Sequence, residues 1–156
     1  MKKPQVWTNP IHFLAFGFGS GLAPKAPGTF GTIAAIPVYL LLMLSNSFAT
    51  YLIVTALISM TGIWICGKTS KDLGVHDHSG IVWDEIAGYL ITMMLVPLTW
   101  YWTITGFILF RIFDILKPWP ISWLDKKVSG GLGIMLDDIV AGIFALVVMQ
   151  ILVAIA

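Results

Sequence analysis

Charge occurs in only three short segments of this 156-residue chain. Residues 1–31 hold Lys2, Lys3 and Lys25; residues 67–85 hold Lys68, Lys71, Asp72, Asp77, Asp84 and Glu85. Residues 111–138 hold Arg111, Asp114, Lys117, Asp125, Lys126, Lys127, Asp137 and Asp138. His12, His76 and His78 fall in the same segments, and 32–66, 86–110 and 139–156 contain neither charge nor histidine. Only 11% of the residues are charged, against about 25% in soluble domains. The pattern therefore specifies an all-α, polytopic membrane bundle whose polar chemistry is gathered in a few places.

The length suits one membrane-embedded domain, 1–156. A net charge of +1 provides no basic face for nucleic acid. Cys66 is the single cysteine, so no intrachain disulfide can form, and a cysteine-phosphatase loop is excluded because Asp72 stands where its arginine would be. Lys2 and Lys3 are followed by Pro4, Asn9, Pro10 and glycines instead of a continuous apolar core, so residues 1–31 are expected to be a retained, glycine-rich interfacial segment and not a signal peptide.

Stretch 32–66 is too long for one span of about 20 residues, and Ser45-Asn46-Ser47 divides it into an expected hairpin of 32–44 and 48–66 with Pro37 early in the first helix. Stretch 86–110 is either one helix kinked at Pro97 or a second hairpin. The positive-inside rule favours the hairpin, because it puts the lysines and arginine of 67–85 and 111–138 on the same side as those of the N-terminus. Its arms, about Ile81–Val96 and Trp100–Leu116, reach membrane length only by extending into their charged flanks. A last helix is expected from about Asp138 to Ala156. The result is about five apolar segments, with an acidic loop at 67–85 and a catalytic loop at 111–138 on one, cytoplasmic, face.

Asp84-Glu85 and Asp137-Asp138 each stand at the mouth of an apolar stretch. One acid at a helix start is explained by the macrodipole, at about 0.3–1 kcal/mol. Two adjacent acids beside hydrocarbon, twice over, are not, since each costs about 2.5–3.5 kcal/mol at membrane depth. A divalent cation offsets both the burial and the mutual repulsion, and an all-oxygen donor set favours Mg²⁺ or Mn²⁺ over Zn²⁺. Arg111 and Asp114 share a helix face, and Pro118 leaves Lys117 at the rim. Chemistry alone leaves two readings there, an interfacial salt bridge with a snorkelling lysine or a phosphate clamp. The loop Gly17-Phe-Gly-Ser-Gly-Leu-Ala-Pro-Lys-Ala-Pro-Gly-Thr-Phe-Gly-Thr32 lacks the Walker spacing and by itself reads as an interfacial loop with close helix packing. His76 and His78 read as part of a solvated loop; Gly130-Gly131-Leu132-Gly133 reads as a tight loop before the last acid pair.

Taken together, the glycine loop, Lys71-Asp-Leu-Gly-Val-His-Asp-His78 with Ile81-Val-Trp-Asp-Glu85, Phe110-Arg-Ile-Phe-Asp-Ile-Leu-Lys-Pro-Trp-Pro-Ile121 and Gly130-Gly-Leu-Gly-Ile-Met-Leu-Asp-Asp138 resemble the phosphatidylglycerophosphatase A family. The resemblance implies a Mg²⁺-dependent phosphatase of the bacterial inner membrane, active site facing the cytoplasm. Its substrate would be phosphatidylglycerophosphate in the lipid bilayer, and its products phosphatidylglycerol and inorganic phosphate. On that footing Asp77, Asp84, Glu85, Asp114, Asp137 and Asp138 are expected metal ligands, with Asp84, Asp138 and Arg111 catalytic. Lys25, Gly28, Thr29 and Lys117 are expected to bind substrate. The competing readings are a divalent-cation transporter, which would carry its acids at mid-bilayer, and a non-catalytic membrane subunit, in which paired acids would be surplus.

Overall fold

A computed structural model describes residues 3–76 and 78–156. Among the described residues every regular element is helical: α1 (Pro10–Ala15), a 3₁₀ segment (Gly17–Leu22), α2 (Pro27–Met43), α3 (Phe48–Leu73), α4 (Trp83–Thr92), α5 (Trp100–Leu116), α6 (Ile121–Lys127) and α7 (Gly130–Ile155). Helices α2 and α3, and then α4 and α5, are joined across the two expected turns. Ser47 caps α3 by accepting from the Thr50 amide, and Thr99 caps α5 by accepting from the Trp102 amide. Each cap sits at the turn that the sequence marks.

Five membrane segments were expected, and three helices are long and apolar enough to cross a membrane: Pro27–Leu44, Phe48–Leu73 and Gly130–Ile155. The difference lies in the second hairpin. The 10 residues of α4 reach about 15 Å, half of a hydrocarbon core. Instead of facing lipid, α4 is enclosed by α2, α3, α5 and α7, and Trp83 through Leu90 are all buried. Beyond its acidic first turn, the helix is apolar enough to be buried by its neighbours. Tyr51 from α3 donates to the Leu90 carbonyl at 2.6 Å, and Tyr89 donates to the Thr103 carbonyl on α5 at 3.1 Å.

Several boundaries also move. The first helix begins at Pro27, not 32, which puts Pro37 in the helix interior, where it removes a hydrogen bond. Helix α3 continues through Lys68, Lys71 and Asp72 to Leu73. Most of 111–138 is helical instead of a loop. The largest change is at α7, which starts at Gly130, not near Asp138. The expected Gly130-Gly131-Leu132-Gly133 loop is its first turn. Gly131 is small for a packing reason, since a Cβ there would strike the Ile63 carbonyl and the Gly67 backbone on α3. On α3 and α7 charge therefore does not mark the helix end, because a helix satisfies its own backbone whatever its side chains carry.

Helices α2, α4 and α7 place their N-terminal parts, and α3 and α5 their C-terminal parts, at one end of the bundle, so the charged residues share that end. The far end is formed by the turns around Asn46 and Leu95, which line a common pocket with Tyr51 and Val96.

Candidate active site

Asp84 and Glu85 lie in the first turn of α4. Asp138 lies more than two turns inside α7, where capping the helix is no longer an explanation for it. Packing α4 against α7 brings the three together: Asp84, Glu85 and Asp138 each offer a carboxylate oxygen, and those oxygens lie within 4.8 Å of one another. Glu85 is 9% exposed and Asp138 3%. Burial, and then the charge of Asp138, push the Glu85 carboxyl well above the usual carboxylate range, against the opposing effects of Asp84 and Arg111. Glu85 Oε2 is buried without a hydrogen-bond partner among the described residues. Crowded, desolvated carboxylates with spare lone pairs fit a hard divalent cation.

Beside this group stands the basic part of the site. Arg111 Nη1 on α5 donates to Asp114 Oδ2 at 2.5 Å and lies 3.8 Å from Glu85 Oε1. Arg111 Nε is buried and has no partner among the described residues. Helix α2 begins against the same two side chains. A Cβ on Gly28 would stand 3.1 Å from Arg111 Nη1 and strike Glu85 Oε1, and one on Gly31 would stand 3.2 Å from Glu85 Oε2. Only glycine lets the α2 N-terminus come this close. Thr32 Oγ1 fixes that turn by donating to the Gly28 carbonyl at 3.0 Å. A helix N-terminus beside a guanidinium suits a phosphate group.

Comparisons with known proteins give the family. A family model described as phosphatidylglycerophosphatase A matches residues 13–153. The chain belongs to the phosphatidylglycerophosphatase A family. A protein of that name from Escherichia coli is 52% identical over 88% of this chain and 80% of its own length. One from Haemophilus influenzae is 49% identical over 90% of this chain and 86% of its own length. A Bacteroides thetaiotaomicron protein provisionally named phosphatidylinositol-3-phosphatase is 37% identical over 97% of this chain and 96% of its own length. No solved structure matches.

The remaining expected site residues of this family member divide by location. Asp137 points away from Asp138, as neighbours on a helix do, and Lys117 Nζ donates to its Oδ2 at 2.6 Å and to Asp125 Oδ1 at 2.8 Å. Burial opposes the charge on Lys117, but the bonds to Asp125 and Asp137 outweigh it and hold the ammonium above its usual range. Lys117 takes a left-handed backbone conformation, φ +42°, where α5 ends before Pro118. Asp114 is bonded to Arg111. Thr29 lies in the first turn of α2 and Lys25 is exposed just before it. Asp77 lies outside the described residues.

Two residues that the sequence left in the background line a small polar cleft with Asp84 and Asp137: Asp125 and His76. His76 Nε2 accepts from the Gly130 amide at 3.0 Å and ties its loop to the start of α7. Nothing in their spacing signals this, because Asp125 is brought round by α6 and His76 by a contact 54 residues away. His78 accepts from the Gly80 amide and packs on Phe16, a structural placement.

The close approach of Gly28 supplies a test of the basic side of the site. Gly28→Ala is expected to lower phosphatase turnover about tenfold or more, by pushing α2 off Arg111 and Glu85, while the melting temperature in detergent changes little. Wild-type turnover would mean that this approach is dispensable.

Proposed function

We propose that this protein hydrolyses phosphatidylglycerophosphate to phosphatidylglycerol and inorganic phosphate, with Mg²⁺, at the cytoplasmic face of a bacterial inner membrane. The observation that carries the reading is the group Asp84, Glu85 and Asp138 standing beside Arg111 and the N-terminus of α2. Acids, guanidinium and helix amides at the charged end of a membrane bundle suit a lipid phosphomonoester, whose phosphate lies at headgroup depth. The names of the Escherichia coli and Haemophilus influenzae relatives support that substrate.

Asp84, Glu85 and Asp138 would hold the cation, joined by Asp77, Asp114 or Asp137 from the expected set. When bound, Mg²⁺ supplies Lewis-acid polarisation of phosphoryl oxygens and a more acidic water. Arg111 offsets charge on the equatorial oxygens of the transferring phosphoryl group, with Lys117 as a second positive charge at the rim. The Gly28 amide at the start of α2 and the Thr29 hydroxyl hold a further phosphoryl oxygen, and Lys25 reaches the ester from the surface. Water attacks phosphorus, the bond to the glycerol oxygen breaks, and phosphatidylglycerol leaves as the alcohol.

Excess lysine and arginine at the charged end support a cytoplasmic orientation. Phosphate release from phosphatidylglycerophosphate by purified protein in detergent tests the proposal. Release that requires Mg²⁺ and stops with a chelator is expected. No release with any divalent cation would overturn it.

A further inference from the structure

We propose that the seam between α2 and α5 seats an acyl chain of the lipid substrate and is the lateral path by which that lipid reaches the site. The inference rests on the phosphatase reading above and deepens it. Helices α2 and α5 approach each other at two places. At the charged end, Gly28 lies against Arg111. Toward the far end, a groove of about 410 Å³ opens between them, lined by Ile36 and Leu40 of α2, by Leu98 and Thr99 just before α5, and by Trp100, Thr103 and Ile104 in its first turns.

Helical spacing joins the two places. Thr29, Ile33, Ile36 and Leu40 fall on one face of α2, and Ile104, Ile108 and Arg111 on one face of α5. Between the ends, Ile33 and Ile108 are 45% and 50% exposed, so an apolar track leads from the guanidinium to the groove. From Gly28 to Leu40 the helix rises about 18 Å, and one leaflet of hydrocarbon is about 15 Å deep. A lipid with its phosphate at Arg111 would therefore have its acyl chain end in the groove. The two threonines there leave the surface apolar, since Thr103 Oγ1 donates to the Thr99 carbonyl at 2.9 Å and Thr99 Oγ1 accepts from the Trp102 amide.

Other grooves lack this arrangement. The one between α3 and α7 leads to Lys68 and Asp72, which pair with each other. The pocket at the far end of the bundle is lined by no charged residue.

The test fills the groove from its rim. Ile104→Trp and Leu40→Trp replace half-exposed side chains outside the core, and Ile53→Trp on the outward face of α3 serves as control. Wild type and variants are assayed at a fixed detergent mole fraction on dipalmitoyl and dihexanoyl phosphatidylglycerophosphate. The six-carbon chains stop short of the groove. Both groove variants are expected to lose about tenfold or more in kcat/KM on the long-chain lipid, mostly through KM, and to keep wild-type activity on the short one, with the control unchanged on both. Equal losses on the two lipids, or no loss on either, would overturn the seam assignment while leaving the phosphatase intact. A wild-type protein inactive on both lipids would instead overturn the phosphatase reading and this inference with it.

Discussion

Asp138→Asn is expected to lower phosphate release by about a hundredfold or more, the scale seen when one preorganised electrostatic group is removed from an active site. The side chain is 3% exposed and its carboxylate lies within 4.8 Å of those of Asp84 and Glu85. Asparagine keeps the shape and removes the charge, so packing of α4 on α7 is preserved. A second readout separates a site role from a folding role. Without divalent cation, wild type holds several carboxylates together in a desolvated site, and removing one charge relieves repulsion. The variant is thus expected to melt at the same or a higher temperature than wild type in chelator. It is expected to gain less from added Mg²⁺, because stabilisation by a ligand follows its affinity for the folded state. Asp125→Asn is the comparison, since its carboxylate is at the rim, 39% exposed, and bonded to Lys117. It is expected to lose less than about tenfold, in keeping with a partly solvated pair. Equal activity in Asp138→Asn and wild type would remove Asp138 from the site.

Arg111→Lys is expected to cost nearly as much, about a hundredfold in kcat/KM, although it keeps the positive charge. The guanidinium of Arg111 reaches Asp114 and Glu85 and stands against Gly28. Lysine has one nitrogen, no planar fork and a strongly hydrated head, so it cannot hold a carboxylate and a phosphate oxygen together. Arg111→Ala is the less informative change. It leaves Asp114 partly buried without its partner, and breaking such a pair costs about 3–5 kcal/mol. Loss of activity in the alanine variant alone could then be loss of fold. Phosphate release measured beside a thermal melt distinguishes the two. Wild-type turnover in Arg111→Lys would show that only charge is needed at this position.

The acid pairs illustrate how far the sequence reaches. Two acids side by side at the edge of hydrocarbon point to a site, but they read as two equivalent pairs at helix starts. On α4 that reading describes the structure, because Val82 precedes the helix and Asp84 and Glu85 occupy its first turn. On α7 the helix extends back through three glycines to Gly130, and neighbouring residues project about 100° apart around it. One side of α7 then delivers Asp138 to α4 while the next residue, Asp137, meets Lys117 from α5. No local pattern separates Asp137 from Asp138, since their difference is made by helices 20 or more residues away.

Charge segregation and hydropathy, both readable along the chain, determined a helical bundle with apolar helices of membrane-crossing length and polar chemistry at one end. They also set the order of its hairpins, because the cost of burying charge in lipid depends on residue type alone. Where each helix begins, that α4 is an enclosed half-length helix and not a span, and which carboxylates share a site were decided by tertiary packing. The approach of Gly131 to α3 and of Gly28 to Glu85 and Arg111 are contacts between distant segments. Their energy depends on shapes that meet only in the folded bundle.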